Sequence, residues 1–317
     1  MNKKIVNTGL ILILILISSF NSNQKDMIAH LVLDAKVLLG EGALWHPGEK
    51  KLYWIDIEGR SLHLYDPISN KDYSFPTGER IGTVVPVQNG GALVALQNGI
   101  HKININTGEL ELVVNPLKDV QMRFNDGKCD PAGRLWVGTL SLDGRKEASV
   151  LYRLDKDKTI HTVLDSVTIS NGIVWSVDKK TMYYIDTPTS MVQAFDYDNK
   201  TGEISHQRVV VRIPKKDGYP DGMTIDAEGK LWIALWGGGA VARFDPITGK
   251  MLQKIKVPSP HTSSCAFGGE NLDILYITTA RVKLTHDELG KYPTSGGLFA
   301  VIPGVRGVPA SFYKENL

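Results

Sequence analysis

Short runs of β-prone hydrophobic residues, separated by polar turns rich in glycine, recur along most of this chain. Asp130-Pro-Ala-Gly-Arg-Leu-Trp-Val-Gly138 returns as Asp226-Ala-Glu-Gly-Lys-Leu-Trp-Ile-Ala234, and four looser copies occur elsewhere. The six apolar runs begin 41 to 49 residues apart, at Leu52, Leu93, Leu135, Met182, Leu231 and Leu275. Repeats of this length indicate one supersecondary unit used six times.

Each apolar run is followed at a similar distance by a predicted β-hairpin. The six hairpins span Leu62–Phe75, Ile100–Val113, Leu151–Leu164, Val192–Val211, Val241–Val257 and Leu298–Tyr313. Each unit thus contains about four short strands, and helical periodicity is nearly absent apart from a possible short turn at Leu284–Gly290. This pattern predicts an all-β, six-bladed β-propeller that forms one domain over residues 26–317. The alternative is a different all-β fold with unrelated turn–strand fragments.

The first 25 residues differ from the repeat and are predicted to be a secretory signal peptide. Lys3 and Lys4 precede an unbroken Leu/Ile run over Leu10–Ile17, and polar residues follow. This order is typical of export signals. The apolar run is shorter than the ~20 residues that span a bilayer. We therefore expect an exported protein, periplasmic or secreted, without a stable membrane span; an uncleaved anchor is the alternative.

Charge and composition narrow the choice of partners. The 36 Lys+Arg nearly balance the 34 Asp+Glu, and the net charge is +2. No basic excess exists to bind nucleic acid, so a small molecule is the expected partner. Only Cys129 and Cys265 carry thiols; export would permit a disulfide, but two small buried hydrophobic side chains are the favoured interpretation. The sequence contains no G-x-S-x-G or H-E-x-x-H motif.

The first strand of every propeller blade lines the central channel, so equivalent positions in different blades converge. Ten or eleven residues before each apolar run lie Glu41, Gly82 or Thr83, Asn125, Asn171, Asp221, and Ser264 or Cys265. Glu41, Asn171 and Asp221 would bring only oxygen ligands to the channel. Such a set suits one divalent cation (Ca²⁺, Mg²⁺ or Mn²⁺, with Zn²⁺ tolerated) and leaves positions for water and substrate. Alternatively, these are turn residues, because Asn-Gly and Asp-Gly pairs favour turns.

Several of these segments together resemble the SMP-30/gluconolactonase/luciferin-regenerating family. The matching motifs are Leu39–Trp45, Arg123–Lys128, Ser170–Gly172, Pro220–Met223 and Cys265–Gly269. The resemblance implies a six-bladed propeller with one divalent metal in its channel. It also implies metal-dependent hydrolysis of sugar lactones such as glucono-δ-lactone to the aldonic acid.

The resemblance also implies roles for individual residues. Glu41, Asn171 and Asp221 correspond to the family's metal ligands, and Asp221 also corresponds to its proton acceptor. Arg123 and Asn125 correspond to substrate contacts.

A further acidic substrate contact of the family corresponds to Asp143, whose side chain is shorter than the glutamate of regucalcin-like members. Glu147 is the alternative for this contact. The alternative role for Arg123 is a salt bridge to Asp126, and Asp126 itself is interpreted as orienting Asn171 or a water molecule.

Two other functions remain open for this chain. One is a non-catalytic, calcium-binding propeller that presents its loops to a partner. The other is a metal-dependent arylesterase or organophosphate-ester hydrolase that uses the same site.

Overall fold

The computed structural model describes residues 27–316. The predicted signal peptide therefore lies outside the described residues, and so do the two end residues of the predicted 26–317 domain. The described chain opens with two short strands, β1 (Met27–Ile28) and β2 (His30–Leu33).

Six sheets then follow one another along the chain, each beginning with its innermost strand; neighbouring strands are antiparallel, except that β1 joins the outer edge of the fifth sheet in parallel. The first two are β3 (Gly40–His46), β4 (Lys51–Asp56), β5 (Ser61–Asp66), β6 (Lys71–Pro76), then β7 (Ile81–Pro86), β8 (Ala92–Leu96), β9 (Gly99–Ile103) and β10 (Leu110–Val114). The next two are β11 (Met122–Cys129), β12 (Leu135–Ser141), β13 (Ser149–Leu154), β14 (Ile160–Val167), then β15 (Ser170–Trp175), β16 (Thr181–Asp186), β17 (Met191–Tyr197) and β18 (Ile204–Arg212). The last two are β19 (Tyr219–Ile225), β20 (Leu231–Trp236), β21 (Ala240–Phe244), β22 (Met251–Lys256), then β23 (Thr262–Gly268), β24 (Ile274–Thr279) and β25 (Leu298–Val301).

Little helix accompanies these sheets. Two 3₁₀ turns cover Thr187–Thr189 and Lys215–Asp217, and the short helix α1 (His286–Lys291) occupies the predicted turn. A capping box formed by Thr285 and Glu288 begins α1. Residues 27–316 include no helix that is both long and apolar enough to cross a membrane.

The six inner strands form a closed ring around one axis. β3, β7, β11, β15, β19 and β23 each contact the next, and β23 returns to β3. The structure therefore confirms the predicted six-bladed propeller. The six second-strand positions named from the repeat are all fully buried.

The sixth blade is completed from the other end of the chain. Its strand order is β2-β25-β24-β23, with His30 opposite Ala300 and Leu31 opposite Phe299. The predicted hairpin over Leu298–Tyr313 is therefore wrong beyond β25. Proline lacks the N–H that a ladder requires, and Pro303 and Pro309 interrupt this segment.

Residues 302–316 instead cross the face where the inner strands end. Gly307 bridges to Asp226 in the fifth blade, and Tyr313 bridges to Val87 in the second. The Tyr313 hydroxyl donates to Asp155 O at 2.7 Å in the third blade. The C-terminal segment thus connects blades that are distant in the ring.

Hydrophobic clusters fill the space between neighbouring blades. Trp232 and Ile277, for example, belong to one cluster between the fifth and sixth blades. Cys129 and Cys265 are both buried and free, which confirms their interpretation as small core residues. The ring is therefore held by blade-to-blade packing.

A buried aspartate explains the spacing that the two close repeats share. Asp130 accepts hydrogen bonds from Trp136 Nε1 at 3.0 Å, Tyr197 OH at 2.7 Å and Arg134 Nη1 at 2.9 Å. Asp226 likewise accepts from Trp232 Nε1 at 2.9 Å. Each aspartate joins the turn before a second strand to the tryptophan within it.

We expect Asp130→Ala to lower the free energy of unfolding by roughly 3–5 kcal/mol, because it leaves a buried arginine and two other donors without their acceptor. Chemical denaturation measures this loss. Asp157→Ala is the matched control, since Asp157 lies in an exposed turn and accepts from the nearby Thr159; its cost should stay within about 1 kcal/mol. Equal losses in the two variants would contradict the structural role of Asp130.

Candidate active site

All six inner strands carry a β-bulge at the same level of the channel. The register shifts lie at Glu41/Leu44, Ile81/Thr83, Phe124/Gly127, Ser170/Ile173, Pro220/Met223 and Thr262/Ser264. In a regular strand, side chains alternate between the two faces of the sheet, which here face the neighbouring blades. A bulge breaks this alternation and redirects side chains. It therefore accounts for the polar residues that meet at the axis.

Two glycines beside the candidate ligands allow the inner strands to approach closely. A Cβ atom at Gly222 would lie 2.6 Å from Ser264 Oγ, and one at Gly172 would lie 2.6 Å from Met223 Cβ. Neither distance is compatible with a side chain. The glycines that follow Asn171 and Asp221 are therefore required by packing between inner strands.

Three carboxyl groups and one guanidinium group are buried together in the channel. Glu41, Asp126, Asp221 and Arg123 are each less than 9% exposed. Burial raises the pKa of Asp221 well above its ordinary value, and the charges of Glu41 and Asp126 raise it further. Burial also raises the pKa of Glu41, to about 8, with a contribution from Asp126. The structure thus brings together Glu41 and Asp221, as the repeat predicted.

Arg123 is the principal positive group facing these carboxylates. Burial lowers its pKa to about 10, and the charges of Glu58, Glu41 and Asp221 partly oppose that shift. Its Nη1 donates to Phe124 O at 2.8 Å and to Asn125 Oδ1 at 2.7 Å. Its Nε is buried without a partner among the described residues. These contacts, and not a salt bridge to Asp126, hold the guanidinium in place.

A directional chain of hydrogen bonds continues from Arg123 through the two asparagines. Asn125 Nδ2 donates to Asn171 Oδ1 at 2.9 Å and to Ser170 O at 2.7 Å. Asn171 Nδ2 donates to Thr187 Oγ1 at 2.7 Å, and Thr187 in turn donates to Pro220 O at 2.8 Å. Both amide orientations follow from this network. This series of hydrogen bonds ends at Pro220, next to Asp221 in the neighbouring blade.

The hydrogen bonds revise one expectation for Asp126. Its Oδ1 accepts from Gly127 N at 2.8 Å, and its Oδ2 is buried without a partner among residues 27–316. Asn171 is oriented by Thr187 and Asn125, so the prediction that Asp126 orients Asn171 is wrong. Thr187 follows β16 outside the repeated motifs, and no signal in the repeat pointed to it.

Asp143 and Glu147 lie away from the buried cluster, on the loop between β12 and β13. Asp143 accepts hydrogen bonds from Ser141 Oγ and from Arg145 Nε, and its side chain is 43% exposed. These hydrogen bonds lower the pKa of Asp143. Glu147 is also exposed, and its N–H donates to Thr168 Oγ1 at 3.1 Å. Because Ser141 pairs with Met122 at the start of β11, the loop lies on the face at which the channel cluster opens.

The cluster suits a divalent cation chemically. Glu41 and Asp221 are buried carboxyl groups whose charges repel, and a cation between them would offset that repulsion. The second lone pair of Asn171 Oδ1 remains available after the bond from Asn125. The described chain contains no group of three or more His, Cys, Asp or Glu side chains placed to hold a metal ion. The candidate set differs from such a cluster because one of its three members is an amide.

Comparison with known proteins assigns this propeller to a family. The model of the SMP-30/Gluconolactonase/LRE-like region matches residues 39–281. The chain belongs to this family. The match contains the buried cluster and the bulges of all six inner strands.

Individual members of the SMP-30/gluconolactonase/LRE-like family are similar over nearly their whole length. A Bacillus subtilis protein described as a sugar lactone lactonase, YvrE, is 40% identical over 276 residues, covering 86% of this chain and 94% of that protein. Regucalcin of Danio rerio is 39% identical over 285 residues, covering 89% and 97%. The crystal structure of a calcium-binding protein, regucalcin, from Agrobacterium tumefaciens superposes with a TM-score of 0.86 at 28% identity, covering 91% and 98%.

We expect the free energy of unfolding of the protein, after a chelator has removed divalent ions, to fall as pH rises from about 4.5 to about 8. The pKa of Glu41 is raised from 4.5 to about 8 in the folded chain, so over this range the folded state binds more protons than the unfolded state. The loss is complete above pH 8 and absent below pH 4.5. Thermal denaturation with a chelator should show a fall of several degrees between pH 5 and pH 8.5.

Glu41→Gln should reduce this pH dependence, because the amide does not titrate. Glu270→Gln, at an exposed position on the turn after β23, serves as the control. The same pH slope in Glu41→Gln and in the unmodified protein would show that Glu41 is not the titrating group.

Proposed function

We propose that this protein hydrolyses sugar lactones, such as glucono-δ-lactone, in a reaction that depends on one divalent cation. The observation that carries the proposal is the meeting of Glu41 and Asp221 from separate blades, next to Asn171 and Arg123, at one end of the channel. Membership in a family that includes a protein described as a sugar lactone lactonase supports the reaction class.

Glu41, Asn171 and Asp221 would hold the cation. An all-oxygen set of two carboxylates and one amide fits Ca²⁺, Mg²⁺ or Mn²⁺, and Zn²⁺ is tolerated. When bound, the cation supplies electrostatic stabilisation for the negative charge that develops on the lactone carbonyl oxygen. The regucalcin of Agrobacterium tumefaciens, described as calcium-binding, supports a cation of this class.

Asp221 is the proposed general base. It would take a proton from the water that attacks the carbonyl carbon; the ring C–O bond then breaks, and Asp221 returns the proton to the departing ring oxygen, which becomes a hydroxyl of the aldonic acid. Burial and the neighbouring carboxylates raise the pKa of Asp221 in the protein without a cation, and a cation bound beside it would lower that pKa again. One carboxylate oxygen would face the cation and the other the proton.

Arg123 and Asn125 would orient the sugar, Arg123 as a hydrogen-bond donor and Asn125 as an acceptor. Arg123 keeps guanidinium donors beyond the two bonds made by Nη1. Both Nδ2 hydrogens of Asn125 are used by Ser170 and Asn171, so Asn125 can only accept, through Oδ1, from a substrate hydroxyl. Asp143, or alternatively Glu147, would contact substrate from the exposed loop at the mouth of the channel.

We expect Asp221→Asn to reduce kcat/KM for glucono-δ-lactone about 10²- to 10⁴-fold, because the amide cannot accept the proton. A pH-stat assay at saturating divalent ion measures the rate. Asp178→Asn, at an exposed turn on the opposite face, is the matched control and should retain activity. A folded, metal-bound Asp221→Asn protein with full activity would remove Asp221 from the reaction.

The same assay separates the alternative functions. A p-nitrophenyl ester tested beside a panel of γ- and δ-lactones distinguishes an arylesterase from a lactonase. Metal binding without hydrolysis of any substrate in the panel would favour a non-catalytic calcium-binding propeller.

Thr187→Val should weaken divalent-ion binding about 10- to 100-fold, because Asn171 loses the hydroxyl that holds its amide. Thr187→Ser keeps the hydroxyl and should bind the ion normally. Calorimetric titration of the apo protein with Ca²⁺ or Mn²⁺ measures affinity independently of activity. Equal affinities in the Val and Ser variants would contradict the role of Thr187.

We also propose that residues 1–25 direct export, on the strength of the Lys3–Lys4 pair and the Leu/Ile run that follows. Fractionation of the source cells, with mass measurement of the mature chain, tests this. An intact chain confined to the cytosol would contradict it.

A further inference from the structure

A cavity of about 330 Å³ occupies the end of the channel opposite the carboxylate cluster. It lies between the last residues of the inner strands and the C-terminal segment, which contributes Val308–Ser311. Its wall residues Leu44, Val174 and Ile225 follow Glu41, Asn171 and Asp221 by three or four positions on the same strands. At about 3.3 Å per residue, the cavity begins roughly 10 Å along the axis from the cluster.

The cavity walls are mainly apolar and partly aromatic. Trp45, Trp175 and Phe267 contribute rings, and Val308 and Pro309 complete the lining from the C-terminal segment. Volumes of this size are within the range of small-molecule sites. The walls therefore suit a ligand with a flat, apolar body.

The polar groups at this cavity are mostly hydrogen-bond donors. Lys128 and Lys179 line it, and no Asp or Glu of the described chain does. The charge at the cavity therefore favours an anionic ligand.

Lys128 separates the cavity from the carboxylate cluster. Its ammonium group donates to Met223 O, and its charge lowers the pKa of both Glu41 and Asp126. Lys179 lies at the exposed rim on the turn after β15. The cavity thus has a cation at its inner end and another at its entrance.

We propose that this cavity is a second small-molecule site, which binds an aromatic or compact apolar carboxylate. The rings of Trp45, Trp175 and Phe267 would contact the apolar body. The carboxylate would pair with a lysine, Lys179 at the entrance or Lys128 at the inner end. This site is separate from the lactone site and does not depend on the proposed hydrolysis.

Calorimetric titration of the purified protein with 2-naphthoate tests the proposal. We expect one molecule to bind per chain, with a dissociation constant below about 1 mM. The uncharged analogue 2-naphthalenemethanol should bind about tenfold more weakly. Ala310→Trp places a large side chain at the cavity and should abolish binding, while a thermal denaturation midpoint close to that of the unmodified protein confirms that this variant is folded.

Two further variants locate the ligand. Lys179→Gln, an exposed change that leaves the core intact, should weaken 2-naphthoate binding about tenfold. Asp221→Asn should leave it unchanged, because Asp221 belongs to the other end of the channel. Absence of binding, or binding that survives Ala310→Trp, would overturn the proposal, as would loss of 2-naphthoate binding in Asp221→Asn.

Discussion

The pairing of β2 with β25 closes the ring, and the rest of the architecture depends on that closure. Without β2, strand β25 would be the unpaired edge of the sixth sheet, and the inner strands could separate. With β2 in place, β23 contacts β3, and six strands share one axis. Residues that are far apart in the chain, such as Glu41 and Asp221, then meet in the same small volume.

The closed channel imposes an electrostatic constraint on what it contains. Glu41, Asp126 and Asp221 lie in a space from which water is largely removed, and among residues 27–316 the charges of Arg123 and Lys128 oppose theirs. Carboxylates in that position are protonated more readily than in water, or are neutralised by a cation. The same arrangement therefore links stability, cation binding and basicity to one set of side chains.

The two ends of the channel differ in chemistry because the inner strands differ along their length. The bulges near their beginnings turn polar side chains toward the axis. Beyond the bulges, regular alternation returns, and apolar residues such as Leu44 and Ile225 line the cavity that the C-terminal segment closes. One channel thus presents an anionic end and an apolar end with lysines.

Most of the fold could be predicted from the sequence, because six copies of a turn and an apolar run recur at regular spacing and each needs a neighbour to bury it. The positions of Glu41, Asn171 and Asp221 followed from the same spacing. Three features required the tertiary structure. The strand β2 completes a blade from the opposite end of the chain, and no local pattern encodes that pairing. Thr187 reaches Asn171 because the pairing of β15 with β16 brings the end of β16 beside the start of β15. The bulges, which decide where each side chain points, arise from strand pairing, and a linear pattern of residues does not reveal them.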